Sequence, residues 1–457
     1  MPPSPQSRVR PGPTHFRKHC ILILSAIAGN PAAAETKLID LDNFSLSFGG
    51  DIAAAGFITN DTNYGAGRID IFTGENTGDA SWVEAWAKPG LDFEFKHADI
   101  GAIYGGISGV FALTRGDGDA GGFTRGNEEA IDLENVYLGW RNSIYDISFG
   151  GQRFQVGDGF LIIDGDFDMA GDGTFWSVPR FAFDNTAILK INSDPVRADL
   201  FWLRGDNQQG NTEIAGINLE YVDHDYGTLA TTYFRTIDID QNFNKALARQ
   251  DMDVISLRAT EIKTPWSPNL AFWGEYVIQT GQGDSTKYDA DAWYTEAQYT
   301  FDDIAWKPKL TYRYARFSGD NNPNDNKRQD FDPYFYGLNV DRGAWGTWYQ
   351  AEIAGNYQLF NNNQNNHMLK LDIYPGETYG FGAVYYNFYL NQPNYLGTPV
   401  KNRHFSDEIN LYAEWYPTES LYTVLLGGVS LPGEAAREAF GDNKAYSVVQ
   451  AYAIYSF

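Results

Sequence analysis

The run Asp164-x-Asp166-x-Asp168-x-x-x-Asp172 is the one place where side chains of a single chemical kind recur at a ligand-like interval. Carboxylates spaced in this way offer the oxygen donors that a calcium loop needs. Met169 stands at the glycine position of such a loop, however, and Phe175 at the place of its bidentate glutamate. The run is therefore not an EF-hand, and a solvated acidic turn explains it better. Loop-bound calcium is the only cofactor the sequence raises. Catalytic constellations are equally thin: His97, His224, His367 and His404 are dispersed, and no HExxH or GxSxG pattern occurs. An enzyme is not expected. The Arg-Gly-Asp triplets at 115–117 and 204–206 are short enough to occur by chance.

A second set of charges sits singly inside apolar, alternating segments, and their chemistry is that of a polar passage. In Thr186-Ala187-Ile188-Leu189-Lys190-Ile191 the Leu189 set is apolar and Lys190 falls on the other face. A charge on a lipid-facing position at mid-bilayer costs roughly 2–4 kcal/mol, so Lys190 must point to a lumen. The same argument turns Arg258, Arg313 and Lys370 inward, together with Asp92, Glu94, Lys96, Glu275, Glu296, Asp372 and Glu414. Arg153, at the start of a long loop, joins the basic candidates. A plainer reading is that these charges pair across neighbouring strands and brace the wall.

The elements that would hold such residues are strands. The last eleven residues, Ser447 to Phe457, alternate an apolar set (Val449, Ala451, Ala453, Tyr455, Phe457) with one carrying Gln450, Tyr452 and Ser456. That period of two fits a strand with one face to lipid and one to a polar interior. Segments of this kind recur near 43–57, 82–96, 101–113, 130–141, 144–152, 185–191, 197–204, 213–222 and 228–236. They continue near 251–261, 269–279, 290–301, 308–317, 364–373, 378–389, 408–416, 420–429 and 447–457. The expected fold is all-β: a transmembrane antiparallel up-and-down barrel of about 18 strands, with short periplasmic turns and long extracellular loops. Gly346 to Tyr357 alternates like a further strand, but counting it would put the short turns before and after it on opposite sides of the membrane. It is therefore assigned to one external excursion, 318–363, above the membrane and partly helical. Loop 153–184 contains Phe160, Leu161, Ile162 and Ile163, apolar enough to fold back into the lumen.

Composition agrees. Of 457 residues, 29 are Tyr and 12 Trp, as the aromatic girdles of a barrel require. Beyond the N-terminus there is no apolar run long enough for a membrane helix. Residues 1–34 read as a secretory signal: Arg8, Arg10, Arg17 and Lys18, then an apolar core from Cys20 to Gly29, then Ala32-Ala33-Ala34. Cleavage there removes four basic residues and leaves 35–457 as the barrel, with 30 basic against 59 acidic residues and no cysteine. Such acidity argues against nucleic-acid partners. The expected partners are bacterial outer-membrane lipid and lipopolysaccharide, the barrel-assembly machinery through the terminal Phe457, and a small hydrophilic solute or polyuronate.

Ser148-Phe149-Gly150-Gly151-Gln152-Arg153-Phe154-Gln155-Val156-Gly157-Asp158-Gly159 resembles the alginate export family of outer-membrane porins. A second similarity runs through Phe331-Asp332-Pro333-Tyr334-Phe335-Tyr336-Gly337, Gly346-Thr347-Trp348-Tyr349-Gln350 and 361–367. Gly151 stands where that family often has an Arg, so any anion-binding role of that Arg does not carry over. The resemblance implies an 18-stranded barrel and passive export of an anionic polysaccharide guided by basic lumen residues. Arg153, Lys190, Arg258, Arg313 and Lys370 are the candidates for that role from alternation, and Asp92, Glu275, Glu296 and Glu414 would oppose it unless paired. The alternatives are an uptake porin for small sugars or carboxylates, and a plugged structural or adhesive barrel.

Overall fold

The computed structural model describes residues 36–70, 73–168, 173–240, 249–283, 286–322, 324–339, 342–343 and 345–457. The expected signal segment 1–34 lies outside them. Eighteen long strands make the wall: β1 (Phe44–Asn60), β2 (Ser81–His97), β3 (Gly101–Gly116), β4 (Glu128–Arg141), β5 (Tyr145–Gln152) and β6 (Phe183–Ser193). They continue as β7 (Val196–Arg204), β8 (Glu213–Asp223), β9 (Gly227–Asp238), β10 (Met252–Thr264), β11 (Ser267–Gly283) and β12 (Thr286–Thr300). The last six are β13 (Lys309–Phe317), β14 (Gln364–Ile373), β15 (Tyr379–Leu390), β16 (His404–Thr418), β17 (Leu421–Pro432) and β18 (Tyr446–Ser456). Each pairs antiparallel with its neighbours in sequence, and β18 closes onto β1 from Asp51↔Ser456 to Asn60↔Ser447. Closure leaves the eighteen-strand wall without an unpaired edge, which is what lets a β-structure stand in hydrocarbon.

Below that seam, the strand Thr36–Asp40 pairs with the first residues of β1, beneath the end of β18. Phe457 is tied to Gly50 by two backbone bonds of 2.9 and 3.0 Å, and its ring lies 5.6 Å from that of Phe48. Gly50 adopts φ +151, and a Cβ there would come within 2.2 Å of Lys88 O, so the crossing of β1 and β2 at this point admits only glycine.

Alternation gives the wall its two faces. Outward positions carry exposed apolar side chains such as Ile52, Val83, Leu138, Leu200, Leu257, Leu369, Leu411 and Leu425. A continuous apolar exterior of this kind is a membrane surface. Exposed aromatics cluster towards the turn side, among them Tyr145, Tyr221, Trp266, Trp306, Tyr379 and Trp415. Inward positions are buried and hold the polar side chains.

The largest departure from expectation is the excursion 318–363. It was expected above the membrane; instead Trp348, Gln350, Ile353 and Ala354 are buried among lumen-facing side chains of the wall. The alternation of 346–357 arises because this segment has a wall on one side and another loop on the other, which mimics a strand's two faces. Its helical part is one π-type turn, Ala354–Leu359. Loop 153–182 also folds inward. Ile162 bridges to Phe335 in parallel register, with Ile163 and Asp164 N–H donating to Phe335 O at 2.8 and 3.0 Å and Phe335 N–H to Leu161 O at 3.0 Å. The two loops thus enter the barrel as one joined body.

Candidate functional site

The charged lumen positions come from strand register. Arg258 on β10 stands directly opposite Glu275 on β11, and Glu296 on β12 directly opposite Arg313 on β13. Such cross-strand neighbours place opposite charges side by side on one face. Arg258 reaches Glu220 of β8 at 3.0 Å and Glu275 at 3.9 Å, and donates to Asn218 Oδ1 at 3.1 Å. Glu275 also accepts from Ser256 Oγ at 2.5 Å. Arg313 lies 3.8 Å from Glu296 and covers the Trp348 ring at 4.3 Å, donating to Thr347 O and Gln350 Oε1 at 3.2 Å each.

Arg342 of the second inserted loop completes this band. It pairs with Asp158 of the first loop at 3.0 Å and with Glu296 of the wall, while its guanidinium sits 4.4 Å from the Trp273 ring. Tyr294 OH donates to the same Asp158 carboxylate at 2.7 Å. One cation therefore joins both loops to the wall. The residues around it, with Arg313, Lys370 and Trp345, enclose a cavity of about 20 Å³, room for about one water molecule.

Lys370 and Glu414 form an adjoining group through Trp345. Lys370 Nζ donates to Trp345 O at 2.7 Å and stands 3.4 Å from Asp372, and the Trp345 indole N–H donates to Glu414 at 3.1 Å. Arg153 and Lys190 are not part of either group. Arg153 faces the Phe181 ring at 4.5 Å at the start of the first inserted loop. Lys190, exposed, stands opposite Asp199 and Asp146 in register. Of the other inward candidates, Asp92 accepts from Tyr137 OH at 3.0 Å, and Glu94 pairs with Arg141 and, at 3.0 Å, with Lys96.

The described carboxylates of the acidic run are engaged by neighbouring protein groups. Asp164 accepts from Tyr349 OH at 2.5 Å, and Asp168 is held by Arg180 at 2.6 Å. Asp166 accepts the Asp168 N–H at 3.0 Å, and Asp172 lies outside the described residues. Among the described residues no group of three or more His, Cys, Asp or Glu is placed to hold a metal. The solvated turn expected here is corrected: Asp164 and Asp168 are buried, and they serve as acceptors that shape and anchor the loop.

Three wall glutamates escaped the sequence reading. Glu84 of β2 accepts the N–H groups of Phe175, Trp176 and Ser177 at 3.3, 3.1 and 2.6 Å. Glu134 of β4 accepts those of Phe181 and Ala182 at 3.0 and 3.3 Å, and Lys88 stands 3.7 Å away. Glu408 of β16 does the same for Glu352, Ile353 and Ala354 at 2.9, 2.9 and 2.8 Å. In each case a carboxylate from the wall seats an inserted loop by its consecutive backbone N–H groups, an anion in a nest. Glutamates at lumen parity were the available signal, but their partners are main-chain atoms that no side-chain pattern reveals.

The histidines stand apart. His224 faces Asp194 at 3.2 Å beside a turn, His367 accepts or donates with Tyr312 OH at 2.8 Å on the outward face, and His404 is 3.0 Å from Asp407.

A sequence model described as alginate export matches residues 122–450. No curated protein matches the chain. Among solved structures, Pseudomonas aeruginosa OccK5 (OpdH) is similar with a TM-score of 0.56 at 10% identity, over 90% of this chain and 98% of that one. OccK7 (OpdD) of the same organism gives 0.52 at 11% identity, over 90% and 98%. The Pseudomonas aeruginosa outer membrane protein OprD gives 0.52 at 11% identity, over 90% and 94%. At these identities the likeness is one of fold.

Proposed function

Since the chain belongs to the alginate export family and its wall is an outer-membrane channel barrel, we propose that it passes small hydrophilic solutes by diffusion, through a constriction in which acids and bases balance. One observation carries this reading. Arg258, Arg313 and Lys370, which a polyanion would need as an uncompensated ladder, each stand beside a carboxylate: Glu220 and Glu275, Glu296, and Asp372. Paired charges attract no polyuronate at long range, because the field of each base is largely cancelled by its acid. They do set up a strong local field, which orients a dipolar solute in a narrow opening. No step requires a cofactor or an energy source, and nothing in the scattered histidines suggests catalysis.

Family membership favours a second reading, passage of a polyuronate chain. That would require both inserted loops to leave the lumen and so uncover the bases. The single-channel current of the refolded protein in a salt gradient separates the two. Near-equal permeability to K⁺ and Cl⁻, indifferent to polymannuronate, supports the small-solute channel. Strong anion selectivity with block by polymannuronate supports the polymer, and no conductance at all supports a plugged structural barrel.

A further inference from the structure

Where the two inserted loops meet β1, β2, β17 and β18 there is a second cavity of about 80 Å³, four times the volume of the one around Arg342. At roughly 10–15 Å³ for each water molecule, that is space for several waters, or for one sugar ring in their place. Its walls are aromatic: Trp86, Trp176, Trp345, Tyr349, Tyr422 and Tyr452. These rings are held from behind. Trp176 is stacked on Tyr357 at 4.5 Å and donates to Gln450 Oε1 at 2.5 Å, Trp345 is tied to Glu414, and Tyr452 packs edge-on to Phe57 at 5.5 Å.

Two observations point to a ligand. The indole N–H of Trp86 is buried and has no acceptor, a group that ordinarily finds one. The polar lining is acidic or neutral: Glu352 and Asn356 face the space, and no Lys, Arg or His is among its described lining residues. Lys88, 5.8 Å from the Trp86 ring, is already committed to Pro179 O at 2.7 Å and to Glu134.

We infer that this cavity is a binding site for an uncharged hexopyranose unit of a saccharide. The C–H faces of a pyranose stack on rigid aromatic faces, whose quadrupole is negative. Its hydroxyls take up the Trp86 N–H and exchange hydrogen bonds with the Glu352 carboxyl, which burial pushes up to about 8, and with the Asn356 amide. An acidic sugar is disfavoured because its carboxylate would leave water for an aromatic space with no cation in the described lining to pair with it. The inference rests on the reading of the lumen as a solute pathway, and narrows it to neutral saccharides.

Isothermal titration of the refolded full-length barrel, in a zwitterionic detergent without a sugar headgroup, tests it with maltotriose and trimannuronate. Trp86→Phe keeps the ring and removes the donor, and Leu338→Trp fills the cavity from the loop. The expected result is saturable binding of maltotriose, weaker or absent for trimannuronate, reduced roughly fivefold in Trp86→Phe and lost in Leu338→Trp. No saturable binding of maltotriose, equal affinity in both variants, or tighter binding of trimannuronate would overturn the inference. Conductance recorded on the same preparations keeps the two readings apart. Current without saccharide binding sinks the site alone, and saccharide binding without current sinks the channel alone.

Discussion

Replacing Glu408 by alanine should release the second inserted loop. Glu408 is buried, and its carboxylate accepts three consecutive N–H groups, those of Glu352, Ile353 and Ala354. Alanine leaves all three donors without that acceptor. A buried donor stripped of its partner costs about 1–3 kcal/mol. Two effects pull the sum to the low end: a buried carboxylate no longer has to be desolvated, and water can enter the vacated space. Taking about 1 kcal/mol for each N–H gives about 3 kcal/mol, a shift of roughly 150-fold between loop-in and loop-out states. A loop-out population of about 0.1% would rise to roughly 13%. Single-channel recording reads this directly, as long high-conductance dwells that are rare in the parent and frequent in Glu408→Ala. Glu408→Gln, which keeps one acceptor oxygen, should fall between. The reasoning is refuted if Glu408→Ala conducts with the same amplitudes and dwell times as the parent while its folded-barrel mobility on an unheated gel is unchanged.

Three further outcomes are expected. Arg342→Ala removes the cation that pairs with Asp158 at 3.0 Å and with Glu296; two facing carboxylates remain, so the reversal potential in a KCl gradient should move towards cation selectivity. Asp164 is pushed up to about 8 by burial, with the Tyr349 hydroxyl and the Asp166 N–H pulling the other way. Because its pKa is higher with the loops seated than in free chain, seating binds the proton; the contact is strongest below the ordinary carboxylate range and weakens as pH rises through about 8. Openings should therefore be more frequent at pH 9 than at pH 5, and an Asp164→Asn variant should lose that dependence. Gly157 has φ +59, and a side chain there would come within 2.6 Å of the Arg258 guanidinium; Gly157→Val should cost about 1–3 kcal/mol in backbone strain alone and raise the rate of proteolytic nicking in loop 153–182.

The wall was legible in the chain because lipid and lumen impose opposite polarity on alternate residues, as at Leu189 and Lys190, and each of the eighteen expected segments overlaps one strand of the barrel. Inward charges followed from the same rule: Arg258, Glu275, Glu296 and Arg313 all lie buried inside. What alternation cannot carry is depth. Parity rightly kept Trp348 and Gln350 out of the wall, yet said nothing of whether the segment rises above the barrel or sinks into it. That choice is made by contacts between distant stretches, Ile162 with Phe335 and Arg313 with Trp348. The acidic run misled for a related reason. Four carboxylates so close together suggested a solvated turn, but Arg180, twelve residues beyond Asp168, pairs with one of them inside the buried loop.

A lumen filled by two loops is compatible with transport because the wall does not depend on them. Every strand is hydrogen-bonded to its neighbours around a closed ring, so the barrel keeps its backbone satisfied whether the loops are in or out. The loops are different. Their seats are carboxylates, Glu84, Glu134 and Glu408, and paired charges around Arg342, all of which water could solvate as well if the loops withdrew. Apolar packing of Phe160, Phe331, Phe335 and Trp348 supplies the bias towards the inserted state. The joined loops at Ile162 and Phe335 make withdrawal of one without the other costly. Opening is therefore a property of the loop pair as one body, set by a small difference between apolar burial and solvation of the same few carboxylates. The stability of the barrel that carries it is a separate quantity.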